Sequence, residues 1–182
     1  MITLTPKTFA LVEFDHDRIV ALASEVAEKV GHDPDIDIVI EVDESVALIK
    51  TELRNVDPVE MFIEGGALED QKPIRQLDDV RARVVIGRLL LMAADRRSAD
   101  FGEIPDVADM SLAHRAAWNT YCIGRLARLG YRGQRQRRLY NFRNRHGFHD
   151  GADAAFDTLW DAEELTWAQI LELSDAANQV AA

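Results

Sequence analysis

The chain has 182 residues, is 47% hydrophobic and 29% charged, and carries a formal net charge of −11. These values fit one compact domain, or two small ones sharing a core, and exclude a disordered chain. The acidic balance also argues against a non-specific polyanion binder, which is expected to be basic over its whole surface.

Residues 8–14 alternate, with Thr8, Ala10, Val12 and Phe14 on one face and Phe9 and Leu11 on the other, and predict a strand. Asp17 is placed to cap a helix over residues 18–30, whose stripe is Ile19, Leu22, Ala23, Val26, Ala27 and Val30, with Gly31 as its stop. Ile36, Ile38, Ile40 and Val42 then alternate with Asp35, Asp37, Val39 and Glu41 as a half-buried strand does. Residues 46–53 and 59–63 are further strands, separated by a turn at residues 55–58. The order β-α-β-β-β predicts a small mixed sheet with one crossover helix, right-handed if its strands are parallel.

Beyond Gly65-Gly66 the pattern turns helical. Residues 74–94 predict a long helix that becomes apolar on all sides in its second half, the mark of a central, buried element. A loop over residues 100–109 leads to a helix over 111–129, closed by Gly130. Gly133 and Gly147 bracket an arginine-rich helix over 134–146. Asp150 is read as the cap of the next helix, with its stripe at Ala154, Ala155, Phe156, Leu159 and Trp160. Thr166 and Gln169 form a capping-box pattern ahead of Ile170, Leu171, Leu173 and Ala177. The expected fold class is α+β: about four strands and one crossover helix in residues 1–72, then about five helices in 73–182. A seam is expected near residue 72, with both parts forming one cooperative domain.

The longest apolar stretch, residues 84–92, contains Arg88 and is far too short to span a bilayer. The first residues lack the basic start and long apolar core of a signal peptide, and Cys122 is the sole cysteine. No membrane association and a cytoplasmic location are expected.

Charge is sharply segregated along the chain. Residues 1–109 hold 12 basic and 24 acidic side chains, residues 110–149 hold nine arginines and no carboxylate, and residues 150–182 hold eight acids and no base. Arginine presents a planar fork that grips phosphate and never deprotonates. Tyr131, Tyr140, Phe142 and Phe148 are interleaved, as are Gln134, Gln136, Asn141 and Asn144, so the segment alone resembles a nucleic-acid-binding helix. The all-acidic segment that follows favours a simpler reading. Folded back, Asp153, Asp157, Asp161, Glu163, Glu164 and Glu172 would neutralise the arginines from within.

Three functions follow. The leading one is a binding or interaction protein with an arginine-lined helical surface, largely paired with its own acids or with a subunit. Arg132, Arg135, Arg138, Arg143, Arg145 and Tyr140 are its ligand-binding candidates. The second is an enzyme acting on a small anionic or phosphorylated substrate, with His114 or His146 as the acid–base group. The third is a nucleic-acid binder using the same helix.

His114, Trp118, Tyr121, Cys122 and Arg125 share one helix side. His114 and Cys122 lie about 12 Å apart along the axis at ~1.5 Å per residue, too far to work as a dyad. This face is therefore expected to be an interface with a satisfied histidine. His146, His149 and Asp153 are weak metal candidates because their spacing fits no strong template, and no metal or cofactor is expected. Residues 64–70 lack a phosphate-loop spacing and read as a turn. Trp118, Trp160 and Trp167 on short helices suggest a homo-oligomer.

Overall fold

The computed structural model describes residues 1–70, 72 and 74–179. Among them the fold is α+β, with one four-stranded mixed sheet at the N-terminus and six helices. The chain divides into two compact units, Met1–Arg97 and Ser98–Ala182.

In the first unit, β1 (Ile2–Thr5) and β2 (Ile38–Asp43) are parallel neighbours joined through α1 (His16–Lys29). β3 (Thr51–Val56) and β4 (Val59–Glu64) form an antiparallel hairpin turning at Asp57-Pro58, and β4 lies parallel to β2. The spatial order is therefore β1-β2-β4-β3. Alternation decides the buried side: Leu4, Ile38, Ile40, Val42, Val59, Met61 and Ile63 are all buried. The intervening positions stay accessible apart from Glu64 at the end of β4, and among them Arg54 stacks on Phe62 at 4.3 Å and donates to Glu41 at 2.6 Å. One face of the sheet is thus covered by helices. α1 packs on β1, while α2 (Asp79–Arg97) packs on α1, β3 and β4.

α1 is capped by Asp15, whose carboxylate accepts from the Arg18 amide at 3.1 Å, rather than by Asp17. Its end follows the expected glycine logic. Gly31, at φ +70°, and His32 return amides to Glu28 and Ala27, closing a Schellman motif.

Residues 8–14 are not a strand. Val12 and Phe14 are buried as their pattern requires, but the Ala10 and Leu11 amides are taken by the Glu44 carboxylate at 2.8 and 2.6 Å. Only Glu13 makes a bridge, to Gln76, so the first strand is Ile2–Thr5. The same pairing displaces the start of α2. Gln76 and Leu77 bridge to Glu13 and Glu69, Arg75 sits at φ +66°, and Asp78 caps the helix through the Val80 and Arg81 amides. The second half of α2 is buried on all sides, as its composition predicts, through Ile86, Leu89, Leu90, Leu91, Met92 and Ala93. That burial keeps α2 with the sheet, so the division falls after Arg97 rather than near residue 72. At residues 65–66 the glycines serve packing: a Cβ on Gly66 would lie 2.4 Å from the Ala47 carbonyl oxygen.

The second unit is built from α3 (Leu112–Arg128), α4 (Arg135–His146), α5 (Asp150–Asp161) and α6 (Trp167–Gln179). Ser111 caps α3 through the His114 amide, and Gly130 with Tyr131 closes it in a second Schellman motif. α5 is capped by His149 and not by Asp150, because the His149 Nδ1 accepts from the Ala152 amide at 3.1 Å. The capping box at α6 is complete. The Thr166 amide donates to Gln169 Oε1 at 2.8 Å, and the Gln169 amide donates back to Thr166 Oγ1 at 3.3 Å. Trp118, Trp160 and Trp167 are buried within this unit, so they leave no tryptophan surface for a subunit contact.

The tightest contact of the unit is between α3 and α5. A Cβ on Gly124 would lie 2.2 Å from the Trp160 carbonyl oxygen and 2.9 Å from its Cα. Backbone cannot yield as a side-chain tip can, so Gly124→Ala should destabilise the helical unit by about 2–3 kcal/mol, the upper part of the overpacking range. Urea denaturation followed by far-ultraviolet circular dichroism reads this directly; an unchanged midpoint would disprove the close seating.

Candidate functional site

α4 has two unlike sides. Leu139, Phe142 and His146, at spacings of three and four, face inward and are buried. On the flank toward α5, the acids Asp153 and Asp157 lie one helical turn apart. Arg143 grips Asp153 through both Nε, at 2.7 Å to Oδ1, and Nη2. That bond raises the Arg143 pKa and holds the Asp153 carboxyl below its ordinary value. Arg135 donates to Asp157 at 2.6 Å, with its guanidinium 5.4 Å from the Phe156 ring centroid.

Other arginines of the segment serve the scaffold. Arg128 donates to the carbonyls of Trp160, at 2.5 Å, and Ala162, placing a cation at the negative end of α5. Arg125 lies 4.2 Å from the Tyr121 ring centroid and donates to Cys122 Sγ at 3.4 Å. Arg138 is half-buried.

The internal neutralisation read from the sequence is thus partial. Among the described residues, Asp161, Glu163, Glu164 and Glu172 make no ion pair, and neither do Arg132, Arg137 and Arg145. Arg137 reaches only Gln134 Oε1, at 3.4 Å. These three arginines are exposed, together with Asn141 and Asn144. Tyr140 and Phe148 are 57% and 62% exposed and touch edge to face, with ring centroids 5.8 Å apart. Positions 137, 140, 141, 144 and 145 follow helical spacing, which gathers them on one outward face of α4, and Phe148, beyond the Gly147 cap, joins that face through its contact with Tyr140. Of the four rings read as stacking candidates, Tyr131 and Phe142 belong to the core.

His146 is 2% exposed. Its Nδ1 lies 3.1 Å from the Phe142 carbonyl, which can only accept, so Nδ1 carries the proton. Nε2 then accepts from the Ser174 hydroxyl at 2.8 Å, and the ring stacks on Phe142 at 3.8 Å. The imidazole is neutral and fully committed. Burial pushes its pKa below the ordinary value; His114 and His149 add to this, while the Phe142 carbonyl and Asp175 oppose it.

His114 is paired to Asp175 at 2.8 Å, so adjacent residues of α6 hold one histidine each. His149 caps α5 with Nδ1 and donates from Nε2 to the His146 carbonyl at 3.1 Å. His146, His149 and Asp153 therefore each serve a different local contact. No group of three or more His, Cys, Asp or Glu residues among the described residues is placed to hold a metal.

The helix side carrying His114, Trp118, Tyr121 and Cys122 is an interface within the unit. Trp118 meets Trp167 edge-on at 5.8 Å, and the Tyr121 hydroxyl accepts from the Leu165 amide at 3.1 Å. Sequence reasoning missed Ser174. Its signal was a lone hydroxyl between Ile170 and Ala177 on the buried stripe of α6. No helix among the described residues is long and apolar enough to cross a membrane. Neither a protein-family model, nor a curated protein, nor a solved structure matches this chain, so the site is read from its own chemistry.

The buried histidine has a consequence for stability. In the unfolded chain His146 takes up a proton near its ordinary value of 6.5, whereas in the fold burial resists it. Below that pH the unfolded state binds more protons, so stability is full above about pH 6.5 and falls on acidification toward the depressed native value. The urea midpoint should therefore drop between pH 7.5 and pH 5.5, and His146→Gln should flatten that drop. An equally steep drop in the variant would count against His146 as its source.

Proposed function

We propose that this chain is a binding protein that meets an anionic macromolecule through the outward face of α4. The observation that carries the reading is the sorting of arginines along α4 and the segment that leads into it. Arg135 and Arg143 are held by Asp157 and Asp153, whereas Arg132, Arg137 and Arg145 face solvent with no ion-pair partner among the described residues. No carboxylate side chain occurs between residues 110 and 149 to oppose them. Arg137 and Arg145 lie about 12 Å apart along the axis at ~1.5 Å per residue, a span suited to an extended, multiply charged partner.

The alternative of an enzyme for a small anion draws less support. His146 is buried with both ring nitrogens hydrogen-bonded, and His114 is paired with Asp175. His146 is thus not free for acid–base work, and His114 has one ring nitrogen committed to Asp175.

Immobilised heparin at low ionic strength tests the surface. A protein of net charge −11 has no general attraction to a polyanion, so retention reports a local patch. The native chain should be retained and Arg137→Glu/Arg145→Glu should pass through unretained. Passage of both proteins in the void volume would remove the reading.

A further inference from the structure

Resting on α4 as the recognition surface, we infer that its partner is a single-stranded nucleic acid. An acidic peptide would need only the cations. This face adds two rings, Tyr140 and Phe148, each more than half exposed and in contact with one another, inside a field of unpaired arginines. Apolar ring surface left in water beside guanidinium groups lacks a packing role within the fold, because the core side of α4 is already filled by Leu139, Phe142 and His146.

Unpaired bases supply what such rings lack. They present flat apolar faces for stacking, with phosphates a few ångströms away for the arginines. Asn141 and Asn144 share the exposed side, and each amide offers both donors and an acceptor to a base edge. In a duplex the base faces are covered by their neighbours, so the rings favour a single strand.

The charge distribution sets the character of the complex. Three arginines are free to meet phosphate, and acids elsewhere repel it. Binding is consequently local and steeply salt-dependent, with a slope of log affinity against log salt of about −2, at ~0.7 per neutralised phosphate on a single strand.

Fluorescence anisotropy with the full chain tests this, using labelled dT12, the matching 12-base-pair duplex and a twelve-residue glutamate peptide over a range of potassium chloride. dT12 should bind most tightly, with the stated slope. Tyr140→Leu/Phe148→Leu keeps apolar bulk but removes the rings, and should weaken dT12 at least ~5-fold while leaving the slope unchanged. Arg137→Glu/Arg145→Glu should abolish binding. If the peptide or the duplex binds as well as dT12, or the leucine variant binds dT12 unchanged, the single-strand inference is overturned while the anionic-partner reading stands. Absence of binding to all three probes at the lowest salt overturns both.

Discussion

The helical unit is organised by the seating of α5 on α3 at Gly124. With no side chain between them, the Trp160 backbone rests directly on α3, and Arg128 from the same helix donates to the carbonyls at the end of α5. This fixes where α5 ends and, with His149 capping its start, where Asp153 and Asp157 stand relative to α4. Which arginines are neutralised is therefore decided by a glycine on a different helix. Gly133 extends the same logic, since a Cβ there would lie 2.8 Å from the Trp160 ring.

α4 is held by its apolar side and not by its charges. Burying Phe142 and Leu139 contributes about 1.5–3 kcal/mol each, whereas partly exposed ion pairs such as those of Arg135 and Arg143 contribute little. Stability thus offers no reason for nine arginines in forty residues, and scaffold roles account for only some of them: Arg128 at the end of α5, Arg125 over Tyr121, Arg115 to the Met110 carbonyl at 3.3 Å. The histidines follow the opposite rule. His146 fills core space as a neutral ring, and His149 uses its ring to start a helix.

Much of this was legible in the sequence because local physics wrote it. The capping box at Thr166, the glycine stops at Gly31 and Gly130, and the all-round apolar half of α2 each depend on residues a few positions apart. The α+β class and the hairpin at Asp57-Pro58 follow from the same short-range patterns. What was not legible depended on partners far along the chain. Residues 8–14 alternate like a strand, but their amides are claimed by Glu44, more than thirty residues away. Residues 74–78 have a helical pattern and are drawn into bridges with Glu13 and Glu69. Of the site, the arginine segment and Tyr140 could be read directly. The division into held and solvent-facing arginines could not, because it is set by how α5 lies beside α4. The pairings of Ser174 and Asp175 were not legible for the same reason, their histidine partners being on other helices.

The separation of the two sides of α4 bears on how such a protein can change over evolutionary time. Positions 137, 140, 141, 144, 145 and 148 are exposed, while the packing of the helix rests on 139, 142 and 146. Mutations in the first set are close to neutral for folding and can accumulate, whereas the second set is under packing constraint. Descendants of one ancestral chain could keep this scaffold and diverge in what they recognise, one outward residue at a time.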